Sequence, residues 1–325
     1  MTDHTLTDHT MTDQTMTDQA PTEGASADAA YTVAVLGLGA MGLPMATRLA
    51  SALTVHGFDI AEPRLALAVD AGITPFDSAP SAAQGADAVL LAVRNGEQLR
   101  DVLFGPSGIS TVLAPGAVVI MTSTVGIADV TDVAARLAVT GVQLVDAPLS
   151  GGPVRAGEGD LLIVVGAAPE ARAKAKPVLD LLASTLSVIG DRPGDGQAFK
   201  TVNQLLCGVH IAVAAEALAL AGALGLNVES TLATLSAGAA GSFMLANRGP
   251  RMLEAYDDDG AEVLSRLDIF VKDMGIVTTA ARGLGLATPV ASAAEQVYLL
   301  GQAAGLAAAD DSAVIRVVAP TPSAP

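Results

Sequence analysis

The chain has 325 residues and a formal net charge of −17, and 51% of its residues are hydrophobic although only 3% are aromatic. This length suffices for two domains, and a core of Ala, Val, Leu and Ile is typical of packed α/β layers. The 17 Lys and Arg residues are spread along the chain, which excludes nucleic acid as a partner because phosphate backbones are bound by clustered cations. The single cysteine, Cys207, excludes an internal disulfide and a cysteine-rich metal site, so we predict no metal ligands.

Residues 1–30 are predicted to form a disordered acidic leader. They contain six acidic residues and no Lys or Arg, and residues 1–20 repeat a five-residue pattern of the type M-T-D-x-T. A secretion signal would need a basic start and an apolar core, and this segment has neither. Together with the single cysteine, this composition predicts a cytoplasmic protein.

A strand, a glycine turn and a helix start follow the leader. The apolar run 31–36 leads directly into Gly37-Leu38-Gly39-Ala40-Met41-Gly42, and a helix-prone stretch, 43–53, comes next. In this G-x-G-x-x-G spacing the glycines allow a tight turn, a close approach of a diphosphate to the backbone, and close packing of the helix on the strand. We therefore predict that residues 37–42 bind a dinucleotide. A glycine turn without any ligand is the alternative interpretation.

The second predicted strand ends at an acidic residue with the spacing of a ribose ligand. Asp59 follows Gly42 by 17 residues, close to the ~20 expected for the acid that accepts hydrogen bonds from the adenosine ribose. A carboxylate here would repel a 2′-phosphate, and the nearest cation, Arg64, comes five residues later. This favours NAD over NADP, although a solvated acid at a strand end is the alternative. Val93, directly after the third predicted strand, is also predicted to contact the cofactor.

Two kinds of pattern divide the rest of the chain. Strand-like and helical segments alternate from 31 to about 190, with strands predicted at 32–37, 54–59, 87–92, 117–121, 142–146 and 161–166. Beyond the Gly/Pro loop 191–196, helices are predicted at 197–226, 228–238, 242–255, 262–283 and 289–305, with breaks at 249–250, 257–260 and 288–289. We predict a doubly wound parallel Rossmann domain over 31–193, an all-α domain over 194–318 and a disordered tail over 319–325.

One apolar run, 205–226, is long enough to cross a bilayer at ~20 residues. His210, Glu216 and three glycines interrupt it. A helix that is apolar nearly all round is also typical of the buried helix of a large soluble protein or an oligomer. We therefore predict no membrane span.

An enzyme that moves a hydride needs a second group to exchange the hydroxyl proton of its substrate. The histidines outside the leader lie in a predicted strand and in the apolar helix, where both are expected to pack. Lys200 is the better candidate, because it follows the Gly/Pro loop at the start of the long helix. It shares a helix face with residues at i+3, i+4 and i+7, which are Asn203, Gln204 and Cys207. Partial burial would lower the pKa of Lys200 and let it exchange a proton near neutral pH. The alternative is a lysine whose stem packs while its charge reaches solvent.

A second candidate element follows the fifth predicted strand, which ends at Asp146. Ligands bind beyond the carboxyl ends of the strands in such sheets. Ser150, Gly151 and Gly152 would supply a hydroxyl and unobstructed amides there, which suits a substrate carboxylate. A plain turn is the alternative. Thr124, just after the fourth strand, is placed to contact the nicotinamide side of a cofactor.

Four separated motifs together resemble those of the 3-hydroxyacid (β-hydroxyacid) dehydrogenase family, which includes 3-hydroxyisobutyrate dehydrogenase and tartronate semialdehyde reductase. The motifs lie at residues 37–46, 146–152, 194–204 and 271–273. The resemblance extends over roughly residues 32–318. It implies an N-terminal Rossmann domain and a helical C-terminal domain that forms a homodimer or homotetramer around the long helix.

The resemblance also implies roles for single residues. Lys200 would be the catalytic acid/base. The substrate carboxylate would bind Ser150, Gly151 and Gly152, with Asn203 and Gln204 assisting, and Thr124 and Lys272 would lie near the cofactor. Because imine-reducing relatives lack this lysine, its presence implies a hydroxyl or carbonyl substrate.

Within the family, residues 200–212, 267–274 and 310–315 are most similar to the L-threonate dehydrogenase group, which implies a four-carbon sugar acid as the substrate. The main hypothesis is therefore an NAD-dependent dehydrogenase of a short-chain 3-hydroxy or sugar acid. One alternative is an NAD(P)H-dependent reductase of a small semialdehyde acid of the tartronate or succinic semialdehyde type. The other is a non-catalytic dinucleotide-binding protein.

Overall fold

The first half of the fold is a mostly parallel sheet, seen in a computed structural model that describes residues 31–321. The predictions for the leader 1–30 and for tail residues 322–325 lie outside the described residues. The strands are β1 (Thr32–Leu36), β2 (Thr54–Phe58), β3 (Thr74–Pro75), β4 (Ala88–Leu91), β5 (Val118–Met121), β6 (Gln143–Asp146), β7 (Leu149–Ser150), β8 (Leu161–Gly166) and β9 (Ala183–Gly190). Their order in the sheet is β3-β2-β1-β4-β5-β6-β8-β7, and β9 also pairs with β8. The parallel strands β1 to β6 thus have the order of a doubly wound nucleotide-binding fold.

Helices cover both faces of this sheet and build the second half of the chain. They are α1 (Gly42–Ala50), α2 (Glu62–Asp70), α3 (Ala79–Ala83), α4 (Gly96–Phe104), α5 (Ile127–Ala138), α6 (Gly152–Glu158), α7 (Pro169–Leu182), α8 (Asp195–Ala223), α9 (Val228–Ala237), α10 (Phe243–Glu254), α11 (Leu267–Gly283), α12 (Pro289–Ala303) and α13 (Ile315–Val318). Short 3₁₀ turns lie at Ile109–Thr111 and Asp311–Val314. The Gly/Pro loop that the sequence singles out lies between β9 and α8.

Alternate residues of each central strand point to opposite faces of the sheet, and helices bury both faces. In β1, Val33 and Val35 pack with residues of α1 and α7. Ala34 and Leu36 pack with residues of α3, α4 and α5 on the other face. Strands buried on both faces, such as β4 and β5, therefore appear in the sequence as continuous apolar runs. All six predicted strands are confirmed to within one residue at either end.

The sheet differs from the prediction beyond β6. The short strands β3 and β7 and the longer β9 were not predicted, and β8 pairs antiparallel to β6 through Asp146 and Gly166. The helix between β7 and β8, α6, has seven residues, which is about 10 Å of helix. This helix is too short to bring the chain back to the end of the sheet where β7 begins, so β8 runs antiparallel to β7. A parallel pair would need a longer crossover.

The 29-residue helix α8 is the centre of the second half. Its residues Ile211, Ala215 and Leu218 are buried in one apolar cluster together with residues of α10, α11 and α12. Among residues 31–321, α8 is also the one helix that is long and apolar enough to cross a membrane. One side of the helix packs inside this cluster, and the apolar residues of that side are those of a core helix.

Two helix predictions are corrected. The helix predicted to begin at 262 begins at Leu267, because the amides of Leu264 and Ser265 donate to Asp310 Oδ2 instead of to a helical turn. The break predicted at 249–250 is absent, and α10 continues through Pro250. At Gly249 a Cβ would lie 2.4 Å from a methyl carbon of Leu232 in α9, so the glycine allows α9 to pack closely.

Two buried ion pairs hold Asp310 and Asp311, just before α13, against α10. Arg248 donates from Nε and Nη2 to the two carboxylate oxygens of Asp311, at 3.0 and 2.9 Å. Arg251 Nε donates to Asp310 Oδ1 at 3.0 Å. Both carboxylates are fully buried, so removing one partner would leave an uncompensated charge in the interior. The sequence analysis did not predict these pairs.

Candidate active site

The glycine turn after β1 has the shape that a diphosphate needs. Gly37 has a φ of +97°, which favours glycine. A Cβ on Gly42 would lie 1.7 Å from the carbonyl oxygen of Gly37, so only glycine lets α1 begin so close to the strand. At Gly39, by contrast, a Cβ would meet nothing within 4 Å. The middle glycine therefore leaves open space beside the backbone where the second glycine of such turns admits a pyrophosphate, so the turn fits a dinucleotide.

Asp59 lies beside this turn. Its Oδ2 accepts from the backbone N of Leu38 at 2.6 Å, and its Oδ1 accepts from the backbone N of Ala61 at 2.8 Å. The acid at the end of β2 is thus held against the glycine turn, where sequence spacing predicts a ribose ligand. Val93 follows β4, which pairs with β1, and a Cβ on Gly37 would contact the neighbouring Ala92. The residues predicted to bind the cofactor at the ends of β1, β2 and β4 are therefore close together.

Lys200 lies in the second turn of α8 and is 7% exposed. Its Nζ donates to the backbone O of Leu149 and to Ser150 Oγ, both at 2.9 Å. Burial lowers the pKa of Lys200 below its ordinary value, and the charge of Asp273 partly opposes this shift. The ammonium of Lys200 therefore bonds inside the protein instead of reaching solvent beyond a packed stem, and the direction of its pKa shift agrees with the expectation.

The segment from Ser150 to Gly152 forms the other side of this contact. Ser150 ends β7, and Gly151 and Gly152 have φ values of +148° and +78°. A Cβ on Gly152 would meet nothing within 4 Å. A Cβ on Gly151, by contrast, would lie 2.8 Å from a methyl carbon of Leu161. Open space therefore borders the backbone at Gly152, two residues after the serine that contacts the Lys200 ammonium.

A chain of hydrogen bonds connects most of the other predicted residues. Lys272 Nζ donates to the backbone O of Thr124 and to Asp273 Oδ1, both at 2.6 Å. Gln204 Nε2 donates to Asp273 Oδ2 at 2.5 Å. Asn203 Nδ2 donates to Gln204 Oε1 at 2.8 Å. The network joins α8 and α11 to the end of β5.

Cys207 is the last residue of the predicted α8 face. Asn203 Nδ2 lies 3.4 Å from its sulfur. Burial raises the pKa of the Cys207 thiol, although the charges of Lys200 and Arg248 oppose the shift. The thiol therefore stays protonated and is a poor nucleophile.

Two buried polar residues, one on α11 and one at the start of α8, have no role in the sequence-based prediction. Asp273 is 2% exposed and lies between Lys272 and Gln204; its position next to a predicted site lysine is the signal that could have identified it. Gln197 is 1% exposed, and its side-chain partners lie 51 to 74 residues away in sequence. No local spacing could have identified Gln197.

The comparisons with known proteins cover both halves of the chain. Residues 32–190 match the model for the NAD-binding domain of 6-phosphogluconate dehydrogenase, and residues 194–318 match the model for the NAD-binding domain of NADP-dependent 3-hydroxyisobutyrate dehydrogenase. L-threonate dehydrogenase of Escherichia coli (strain K12) is 37% identical over 287 residues, which is 88% of this chain and 94% of that protein. The chain belongs to the 3-hydroxyacid dehydrogenase family. This membership confirms the resemblance inferred from the four motifs.

Solved structures of this family agree with the fold. The 3-hydroxyisobutyrate dehydrogenase of Salmonella typhimurium has a TM-score of 0.81 and 36% identity, covering 88% of this chain and 99% of that one. The Mycobacterium tuberculosis 3-hydroxyisobutyrate dehydrogenase, solved with L-serine, has a TM-score of 0.79 and 30% identity, covering 90% and 100%. As a 3-hydroxyacid dehydrogenase, the protein is an NAD-dependent oxidoreductase of a small hydroxy acid, with a Rossmann domain followed by a helical domain.

Proposed function

We propose that this dehydrogenase oxidises a short-chain 3-hydroxy or sugar acid, with L-threonate as the first candidate substrate and NAD as the cofactor. The observation that carries the proposal is the buried Lys200 Nζ, 2.9 Å from Ser150 Oγ at the junction of the two halves. The 37% identity to an L-threonate dehydrogenase over most of both chains supports the choice of substrate. When bound, NAD supplies the nicotinamide ring that accepts the hydride.

Lys200 is proposed to exchange the hydroxyl proton. A neutral lysine amine has two N–H donors and one lone pair. Leu149 O and Ser150 Oγ can accept from the two donors, since both already accept from Nζ. The lone pair is then left to accept the proton of the substrate hydroxyl. The pKa of Lys200, lowered by burial, increases the fraction of neutral amine at a given pH.

The remaining residues are proposed to orient the substrate. Ser150 Oγ and the amides of Gly151 and Gly152 would bind its carboxylate, because they are successive donors beside the Lys200 ammonium at Ser150 and open space at Gly152. Asn203 and Gln204 would contact its hydroxyl groups from α8. Thr124 and Lys272 would lie on the cofactor side, where Lys272 already bonds the backbone of Thr124.

The test of the proposed function is NADH production by the purified protein over a set of three- to five-carbon hydroxy acids. We expect the highest kcat/KM with L-threonate or another four-carbon sugar acid. Faster NAD(P)H consumption with tartronate or succinic semialdehyde would favour the reductase alternative. No turnover in either direction, with NADH still bound, would favour a non-catalytic dinucleotide-binding protein.

Asp59 is proposed to make the enzyme prefer NAD to NADP. Replacing Asp59 with Ser removes the carboxylate that would repel a 2′-phosphate and keeps a hydroxyl near the Leu38 amide. We expect the ratio of kcat/KM for NAD to that for NADP to fall at least about tenfold, equivalent to about 1.4 kcal/mol. Asp70→Ser, which removes the same charge from an exposed position of α2, is the control. An unchanged ratio in Asp59→Ser would rule out this role.

We also propose that the protein is a homodimer or homotetramer built around α8. Five apolar side chains, each 41 to 63% exposed, lie along one side of the helix: Phe199, Val202, Leu206, Val213 and Leu220. Four of them are spaced seven residues apart, which makes a continuous stripe along the helix axis. A second copy of this chain would cover the stripe, and light scattering measures the mass in solution directly. A cytoplasmic location remains a prediction from composition.

A further inference from the structure

Asp146 and Gln197 form a buried junction between the sheet and α8. Asp146 is the last residue of β6 and is 0% exposed. Its Oδ2 accepts from the backbone N of Gly194 and of Gln197, both at 2.9 Å, and its Oδ1 accepts from Gln197 Nε2 at 2.9 Å. A buried carboxylate is costly unless it is fully hydrogen-bonded, and these three donors supply that compensation.

The side-chain amide of Gln197 makes four hydrogen bonds. Its Oε1 accepts from the backbone N of Val125 at 3.1 Å and of Gly126 at 3.2 Å. Its Nε2 donates to Asp146 Oδ1 and, at 3.0 Å, to the backbone O of Ser123. An amide has two donors and two acceptor positions, so every hydrogen-bonding position of this side chain is used. Gln197 therefore joins three segments: the loop after β5, the end of β6 and the first turn of α8.

Lys200 and Ser150, which contact each other, each lie a few residues after one member of the Asp146–Gln197 junction. Ser150 comes four residues after Asp146, and Lys200 comes three residues after Gln197, about one helical turn. The helix lies very close to the strand here, because a Cβ on Gly196 would lie 2.8 Å from the backbone O of Asp146. A shift of the junction would move the ammonium and the hydroxyl relative to each other.

We propose that Asp146 and Gln197 are positioning residues that hold Lys200 Nζ against Ser150 Oγ in the geometry needed for proton exchange. They act through Lys200 and do not touch the substrate. The inference rests on the proposed function, since it assumes that Lys200 exchanges the proton. It explains why the junction uses a buried carboxylate and amide, where two apolar side chains would fill the same volume without the cost of desolvation.

The test exchanges donor and acceptor across the pair. In Gln197→Glu the side chain can still accept from Val125 and Gly126 but cannot donate to Asp146 or to the backbone O of Ser123, and two carboxylates face each other. In Asp146→Asn, an Nδ2 donor faces the Nε2 donor of Gln197. The double variant Asp146→Asn/Gln197→Glu restores one donor and one acceptor between the two side chains and keeps the net charge of the wild type. It lacks the donation to the backbone O of Ser123 just as Gln197→Glu does, so the comparison of these two variants isolates the contact between residues 146 and 197. Gln84→Glu, an exposed glutamine after α3, is the control for the same chemical change.

We expect each single variant to lose about 10- to 100-fold in kcat, as for a small misplacement of a catalytic group. NADH affinity, measured by calorimetry, should fall by less than kcat, because the glycine turn is untouched and only the loop that carries Thr124 loses contacts with Gln197. The kcat–pH profile of each single variant should also shift toward the ordinary lysine pKa as Lys200 loses its buried position. The double variant should regain at least about tenfold in kcat over Gln197→Glu, with the wild-type profile.

Two results would overturn the inference. One is wild-type kcat and pH profile in a folded single variant. The other is a double variant that regains the wild-type melting temperature but not kcat, which would mean that the pair only stabilises the fold. If the single variants do not fold, the double variant is compared with the wild type: wild-type kcat and pH profile support the inference, and a wild-type melting temperature without wild-type kcat overturns it. Failure of the proposed function is separate, because it would show as retained turnover in a variant without the Lys200 amine.

Discussion

Lys200→Met is expected to lower kcat by about 10²- to 10⁴-fold, the range for loss of a general acid/base. Met has a similar length but no amine, so the hydroxyl proton has no acceptor next to Ser150. NADH affinity should change little, because Lys200 contacts the backbone of Leu149 and Ser150 and not the glycine turn. Steady-state kinetics and calorimetric titration with NADH measure the two effects separately.

The pH dependence of the wild-type enzyme follows from the same residue. In the proposed mechanism hydroxy-acid oxidation needs the neutral amine of Lys200, so its rate should rise with pH and level off above the pKa of Lys200. Burial lowers that pKa below 10.5, so the midpoint should lie below the value of a free lysine. The reverse reaction needs the ammonium and should slow down through the same pH range.

Lys176→Met is the control for this prediction. Lys176 is an exposed lysine of α7 that pairs with Asp180, so its loss should leave kcat and the pH profile unchanged. Turnover near the wild-type value in Lys200→Met would show that another group exchanges the proton.

A second pair of variants separates the two tasks of the glycine turn. In Gly42→Ala the new methyl carbon would lie 1.7 Å from Gly37 O, a backbone atom that cannot move without opening the turn. We expect a loss of about 1–3 kcal/mol in the free energy of unfolding and a fall in NADH affinity of about 100-fold or more. In Gly39→Ala the methyl group meets no atom within 4 Å, so the melting temperature should be unchanged.

NADH affinity should nevertheless fall about tenfold or more in Gly39→Ala, because the methyl group occupies the space where the diphosphate approaches the backbone. Thermal unfolding and calorimetric titration of both variants make the comparison. Wild-type affinity in Gly39→Ala would mean that the dinucleotide does not approach this turn.

Local patterns in the sequence predicted most of the first half of the fold. β1, β4 and β5 are buried on both faces, so they appear as continuous apolar runs, and glycines with positive φ mark turns directly after β1 and shortly before β4 and β5. The same patterns identified Lys200, because a charged residue on an apolar helix is conspicuous without any knowledge of contacts. Pairing with neighbouring strands, by contrast, determined the edge strands β3 and β9, which have little apolar pattern of their own.

The sequence by itself determined that a dinucleotide-binding turn, a parallel sheet and an apolar helix carrying Lys200 follow one another along the chain. These features depend on residues within a few positions of each other, where periodicity and glycine spacing are informative. Only the tertiary structure decided the antiparallel return of β8, the start of α11 at Leu267 and the Asp146–Gln197 junction. Each of these depends on partners far apart in the chain, such as Gln197 and Asp146, 51 residues apart. The hydrogen bond between two buried polar groups leaves no periodic signal, because it requires only that folding bring them to the same place.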